Sequence, residues 1–228
     1  MGASGIRTLS RSLCDILNAV GTSERHGTNI VTLVNFDYRG FDTLGEEYIL
    51  FAAVIGAVLL MRTHRGEKTS ARPGKVSEQP VPLRTDAVAL GSRPALGLTL
   101  IFGMYVVLHA QLTPGGGFQG GAIIGSATLL LYLGFGYRTW RQVMPTAVLD
   151  PVEAFGAGAF VVAGLAAMAA GAPFLTNLLP LGKTGSVISA GEIPLINIAV
   201  AIAVSTGFAV LFVEYLEETR EPDAGDEE

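Results

Sequence analysis

Asp37, Arg39, Asp42, Glu46 and Glu47 crowd together immediately before an apolar run. That run, residues 48–61, has about fourteen residues, too few to cross roughly 30 Å of hydrocarbon at 1.5 Å per residue. A helix that starts near Thr43 reaches about twenty residues and takes Glu46 and Glu47 into its first turn, where the helix dipole favours carboxylates. Ionisable groups at membrane depth are costly, so they are usually paired or line water or an ion path. The chemistry this set supports is the holding or passing of a proton or small cation, with Glu46 the central group. The structural alternative is an interfacial charge network that anchors the helix by snorkelling.

His109 is a second candidate, near the end of another apolar run, where an imidazole could take up and release a proton. It could relay a proton, or simply pack at the interface. No second His or Cys lies near it in sequence, so spacing supports no metal site, and no cofactor is expected. It opens a Pro/Gly break running through Pro114, Gly115, Gly116, Gly117, Phe118, Gln119, Gly120 and Gly121. Pro114 and three glycines do not continue a helix comfortably, so a structural loop is expected at one face of the bilayer. Residues 115–120 match the G-x-G-x-x-G pattern, but an apolar helix precedes them where nucleotide binding needs a strand. Gly182-Lys183-Thr184 resembles a P-loop end, with Asn177 where the first glycine belongs.

The elements that position these residues follow from hydropathy. Half of the residues are hydrophobic and 15% are charged, and the charges avoid several runs of about twenty residues. That composition predicts an all-α integral membrane protein with about five transmembrane helices, one plus four. Residues 1–62 are expected to hold an N-terminal amphipathic helix, built on Ile6, Leu9, Leu13, Ile16, Leu17 and Val20, and then the first crossing. Residues 63–92, rich in Pro, Gly, Ser and basic side chains, read as a flexible linker. Residues 93–217 carry four further spans, near 94–112, 119–137, 151–172 and 193–216, with Pro94 in a first helical turn and Asp150-Pro151 opening the third span. No charge is expected in the middle of these four. Residues 218–228 form an acidic tail.

Between the last two spans lies a loop apolar enough (Phe174, Leu175, Leu178, Leu179, Leu181) to pack on protein or dip into the bilayer. Small residues recur every fourth position at Ala159, Ala163, Ala167 and Gly171, and at Ala199, Ala203 and Gly207. Such stripes allow close helix packing, within the chain or between subunits. The net charge of −5 gives no footprint for nucleic acid. Arg7 and Arg11 precede no continuous apolar stretch, so no cleaved signal peptide is expected. Basic residues number ten on the side of the linker, Arg138, Arg141 and the tail, against five on the other. The linker and C-terminus are therefore expected in the cytoplasm, with the Pro/Gly loop outside.

Residues 92–217 resemble the B subunit of the Mrp-type multisubunit Na⁺/H⁺ antiporters. The resemblance rests on Leu108-His109, on Thr113 through Gly121, on Asp150-Pro151, Pro173-Phe174 and Asn177, on Leu179 through Gly182, and on Ser189 through Ile198. Residues 28–62, centred on Asp37 through Glu46, resemble the C-terminal end of that family's A subunit, a separate E-type subunit in related membrane-bound hydrogenases. The chain thus looks like a join of the two within the linker. The resemblance implies a plasma-membrane subunit working with the A, C, D and smaller subunits of an antiporter that exchanges H⁺ and Na⁺. It also implies that the B module is accessory and that Asp37, Asp42 and Glu46 lie near the ion path. Glu47 adds an acid where the family is usually uncharged, and Ala203 stands where many members carry a charge. The alternatives are a purely structural scaffold, or a membrane-arm subunit of an energy-converting hydrogenase or respiratory complex. No catalytic constellation points to an enzyme.

Overall fold

The computed structural model describes residues 3–64 and 85–218, with side chains described for 14–61 and 85–217. Most of the linker expected over 63–92, nearly all of the acidic tail 218–228, and the side chains of Arg7 and Arg11 lie outside the described residues. Among the described residues there are eight α-helices and one π-helical turn, with an isolated bridge between Gly182 and Ser189 as the one β-type pairing.

Helix α1 (Ala3–Arg25) ends where His26 takes a left-handed φ of 55°. A single turn, α2 (Ile30–Leu33), runs into a π-helical turn at Val34–Tyr38, which the Arg39 N–H closes on the Val34 carbonyl at 2.7 Å. The Thr43 hydroxyl donates to the Asn35 carbonyl at 2.6 Å, so the bend leaves that acceptor satisfied. Helix α3 (Gly40–His64) follows directly. Residues 30–38 are thus helical and rise at most about 14 Å, under half of the hydrocarbon core.

Helix α4 (Asp86–Leu108) starts earlier than expected, because Thr85 caps it by accepting the Val88 N–H at 3.2 Å. Pro94 therefore lies inside this helix, not in its first turn, and the last part of the expected linker is helical. The same correction applies to α7 (Thr146–Ala169), where the Val148 and Leu149 N–H groups turn back to the Pro145 carbonyl, leaving Pro151 interior. An interior proline removes one backbone bond, a loss that membrane helices tolerate. The remaining elements are α5 (Gly117–Phe135), the short α6 (Tyr137–Val143) and α8 (Ile193–Glu218).

Helices α3, α4, α5, α7 and α8 are long and apolar enough to cross a membrane, and the chain is a multi-pass membrane protein. Helix α8 is the axis. It has 67% of its apolar window buried, against 17% for α3 and for α4. It packs against α5, α7 and α3, while α4 lies outside on α5. Lipid tails are as apolar as leucine, so helices associate in a bilayer by close backbone packing. Here α5 presents Gly117, Gly121 and Gly125 to α8, where an added Cβ would stand 2.5 Å from the Asn197 carbonyl and 2.8 and 2.7 Å from the Cβ atoms of Val204 and Phe208. On the other flank Gly156 of α7 meets the backbone of Ala199 and Ala203. The expected small-residue stripe of α8 is therefore an intramolecular seam at those positions.

The apolar loop between α7 and α8 packs in part on the bundle. The Phe174 ring lies against Gly164, and Leu175 joins the cluster of Leu33, Phe36, Phe160 and Val200. Leu178 and Leu179 stay exposed.

A substitution at the α5–α8 seam tests this reading. Gly121→Val is expected to cost about 1–3 kcal/mol through overpacking, seen as a lower melting temperature in detergent. Gly97→Ala, where an added Cβ meets nothing within 4 Å, is expected to leave the melting temperature unchanged.

Candidate functional site

Asp37 sits in the π-helical turn, its side chain only 7% exposed. Its Oδ2 accepts from Asn177 Nδ2 at 3.2 Å and pairs with Arg25 Nε at 3.2 Å. The Arg25 guanidinium also lies over the Tyr38 ring, 5.2 Å from its centroid, and the Tyr38 hydroxyl donates to Glu24 at 2.6 Å. Burial first, and the Glu24 hydrogen bond second, push the Tyr38 phenol up to about 12, so it remains a donor throughout the physiological range. Asn177 in turn accepts the Glu192 N–H and donates to the Ala190 carbonyl. The His26 ring approaches the Gly182 carbonyl at 2.6 Å. The N-terminal segment is thereby tied to the loop between α7 and α8 by a charge-assisted network.

The other sequence candidates separate from Asp37. Arg39, just before α3, and Asp42, in its first turn, pair with each other on the exposed side. Glu46 is exposed. Glu47, one residue on and about 100° round the helix, is buried to 1% exposure, and neither of its oxygens has a hydrogen-bond partner. A carboxyl group without a partner in an apolar interior is costly to hold, which singles Glu47 out within the motif. His109 caps α4, stacked on Tyr105 at 4.3 Å, with Nδ1 3.2 Å from the Tyr105 carbonyl. It does not join the acidic residues.

The Pro/Gly loop is a packing joint. Pro114 is exposed, and Gly115 sits over Val106. Gly116 precedes α5, whose first N–H, from Gly117, is accepted by the buried Asn197 Oδ1 at 2.8 Å. Phe118 packs into the central cluster, Gln119 stays exposed, and Gly120 faces α4 across Gly103 and Val107. Gly121 meets α8. Asn29 binds the preceding turn, donating to the carbonyls of Ala110 and Thr113 at 2.7 and 2.9 Å. Gln111, fully buried, donates to the Val187 carbonyl at 2.6 Å.

Sequence reasoning missed several of these residues. Arg25 was not singled out, and the partners of Asn177 and Asn197, two residues of the resemblance, were not foreseen, since these contacts span 12 to 140 positions of chain, which no local pattern reports. Glu153 was findable. It is an acid near the start of the predicted third span, and it is buried to 5% exposure on α7. Because α7 starts at Thr146, Glu153 stands in its second turn. Among the described residues, no group of three or more His, Cys, Asp or Glu could hold a metal ion.

Comparison with known proteins places this architecture. A family model described as a domain related to the MnhB subunit of Na⁺/H⁺ antiporter matches residues 87–210, and one that describes the E subunit of MBH matches residues 6–77. An uncharacterized protein of Methanocaldococcus jannaschii is 32% identical over 199 residues, covering 79% of this chain and 74% of that one. The B subunit of the Na⁺/H⁺ antiporter of Bacillus subtilis is 38% identical over 95 residues, 38% of this chain and 64% of that protein. Among solved structures, a chain of the membrane-bound sulfane sulfur reductase, an archaeal respiratory membrane complex, superposes with a TM-score of 0.72 at 31% identity, covering 89% of this chain and 84% of that one. With the MnhB-related model spanning more than half of its residues, the chain belongs to the family of domains related to the MnhB subunit of Na⁺/H⁺ antiporters.

Proposed function

We propose that this chain is a plasma-membrane subunit of a multisubunit Na⁺/H⁺ antiporter, supporting its assembly and lending carboxylates to the path of the exchanged ions. The family membership and the likeness to the B subunit of an antiporter support the first half. The observation that carries the second is Glu47, buried without a hydrogen-bond partner two turns before Val54, which meets Gly207 of α8. A carboxyl group so placed is available to a proton or cation in a way that the exposed Arg39–Asp42 pair is not. In this reading residues 1–62 act as the E-type piece and 93–217 as the B module, joined through a cytoplasmic linker. Asp37 serves as the clasp between the two, and the exposed Glu46 faces lipid or a neighbouring subunit.

A second reading has its own support. The likeness to a chain of an archaeal respiratory complex fits a membrane-arm subunit of an energy-converting complex. Purification of the tagged chain from its host separates the two. Antiporter subunits alone favour the first reading, and co-purifying iron–sulfur proteins favour the second.

Transport in vesicles tests the role of the acids. Glu47→Gln in the assembled complex is expected to lower Na⁺-driven proton flux by roughly a hundredfold, the usual worth of a positioned proton carrier, with the chain still co-purifying. Equal flux in the two forms would reduce Glu47 to a buried oddity. Asp37→Ala should behave differently. It strands Arg25 and Asn177 and is expected to cost about 2 kcal/mol of stability, with flux falling only as far as the yield of intact complex falls.

A further inference from the structure

We propose that Glu153 of α7 is a docking point for a lysine carried by a membrane helix of a neighbouring subunit. Glu153 lines a cavity of about 190 Å³ between α3, α7 and α8, walled by Phe51, Val54, Val58 and Val210. The cavity is half open on the outer face, beside Ile55 and Leu59, which are 40% and 60% exposed. The acid at its inner end is covered. Glu153 is 5% exposed, and among the described residues no hydrogen bond or ion pair is made to it. Gly207 of α8 makes room for its carboxyl group, since an added Cβ there would stand 2.9 Å from Glu153 Oε1. Asp150 also lines the cavity and already takes part in another interaction, so the acid left to be matched is Glu153.

The group lies within the depth of the span. Gly207 also meets Val54 of α3, and Val54 stands seven residues, about 10 Å, before the end of that span at Met61. An acid at such a depth is costly to leave unmatched and calls for a proton or a cation.

The cavity decides between them. A proton takes up no room and leaves the space unfilled. The aliphatic walls that lead in from Ile55 and Leu59 fit the stem of a long basic side chain, which lays its methylenes on apolar surface and carries its charge at the tip. A hard metal cation needs about six oxygen ligands, more than these side chains offer. Arginine would bring five donors in a rigid fork, lysine three on a flexible stem. With hydrocarbon on most sides, the ammonium leaves fewer donors without an acceptor. Beyond the mouth, Ile49 and Leu60 continue the exposed apolar face of α3, on which a membrane helix can lie. The inference rests on the chain working as one subunit of a larger complex, whichever of the two complexes that is.

The test uses the intact complex in its membrane and dicyclohexylcarbodiimide, which activates carboxyl groups in apolar surroundings. An amine within reach attacks the activated carbonyl carbon, an amide joins the two side chains, and the reagent leaves as its urea with the elements of water. Mass spectrometry is expected to find Glu153 joined to a lysine of another subunit, and Glu153→Gln is expected to abolish that link. Glu153→Ala, which strips the ammonium of its counter-charge, is expected to lower the co-purified amount of that subunit by roughly tenfold or more. Ile55→Trp, which narrows the mouth and leaves the acid in place, is expected to lower the yield of the link. An intact complex in which Glu153 carries only the reagent's own adduct, or nothing, or is joined to Lys68 or Lys75 of this chain, would overturn the docking point and leave the proposed function standing. A chain that purifies with no other subunit would sink the proposed function as well.

Discussion

Close approach of backbones to α8 is the constraint on which the structure depends. In lipid no hydrophobic force pushes one apolar helix against another, so what holds them is contact between main chains with small residues between. Gly117, Gly121 and Gly125 bring α5 down onto one flank of α8, and Gly156 brings α7 onto another. Once the helices are this near, any polar side chain between them must be satisfied on the spot or used. Asn197 is satisfied, with its oxygen on the Gly117 N–H and its nitrogen on the Ile193 carbonyl. Glu47 is not satisfied by any hydrogen bond. These two buried residues differ in that one alone has its hydrogen bonds made within the bundle.

The N-terminal segment is held by a different kind of contact. Its α3 leans on the third flank of α8 mainly through Leu50, Val54 and Val58, but the turn that leads into it is fixed by charge. Asp37 meets Arg25 from its own segment and Asn177 from the other, so the carboxylate serves both as a local brace and as a bridge. The π-helical turn makes that possible by fitting one extra residue into the bend at the foot of α3. Apolar packing sets how deep α3 sits, and the polar clasp sets where it enters.

Much of this was legible in the sequence. The apolar runs gave the five crossings, the Pro/Gly break gave the joint before α5, and the four-residue spacing of Ala199, Ala203 and Gly207 gave the packed face of α8. Helix starts were less legible. Pro94 and Pro151 read as first-turn prolines, yet Thr85 offers a cap upstream of one and Pro145 a turn upstream of the other. The choice between Glu46 and Glu47 was beyond composition, since one residue turns a helix face by about 100° and only tertiary packing says which face is covered. Asn177 belongs to the residues that carry the family resemblance, but its bond to Asp37 links positions 140 apart, and no local period encodes that contact.

The bridge between Asp37 and Asn177 has a consequence for how such a protein is put together. Where two polypeptides carry these halves separately, their meeting is bimolecular and depends on how much of each the cell makes. In one polypeptide the encounter is intramolecular, the halves are produced in a one-to-one ratio, and neither waits unpaired in the bilayer with a carboxylate exposed to lipid.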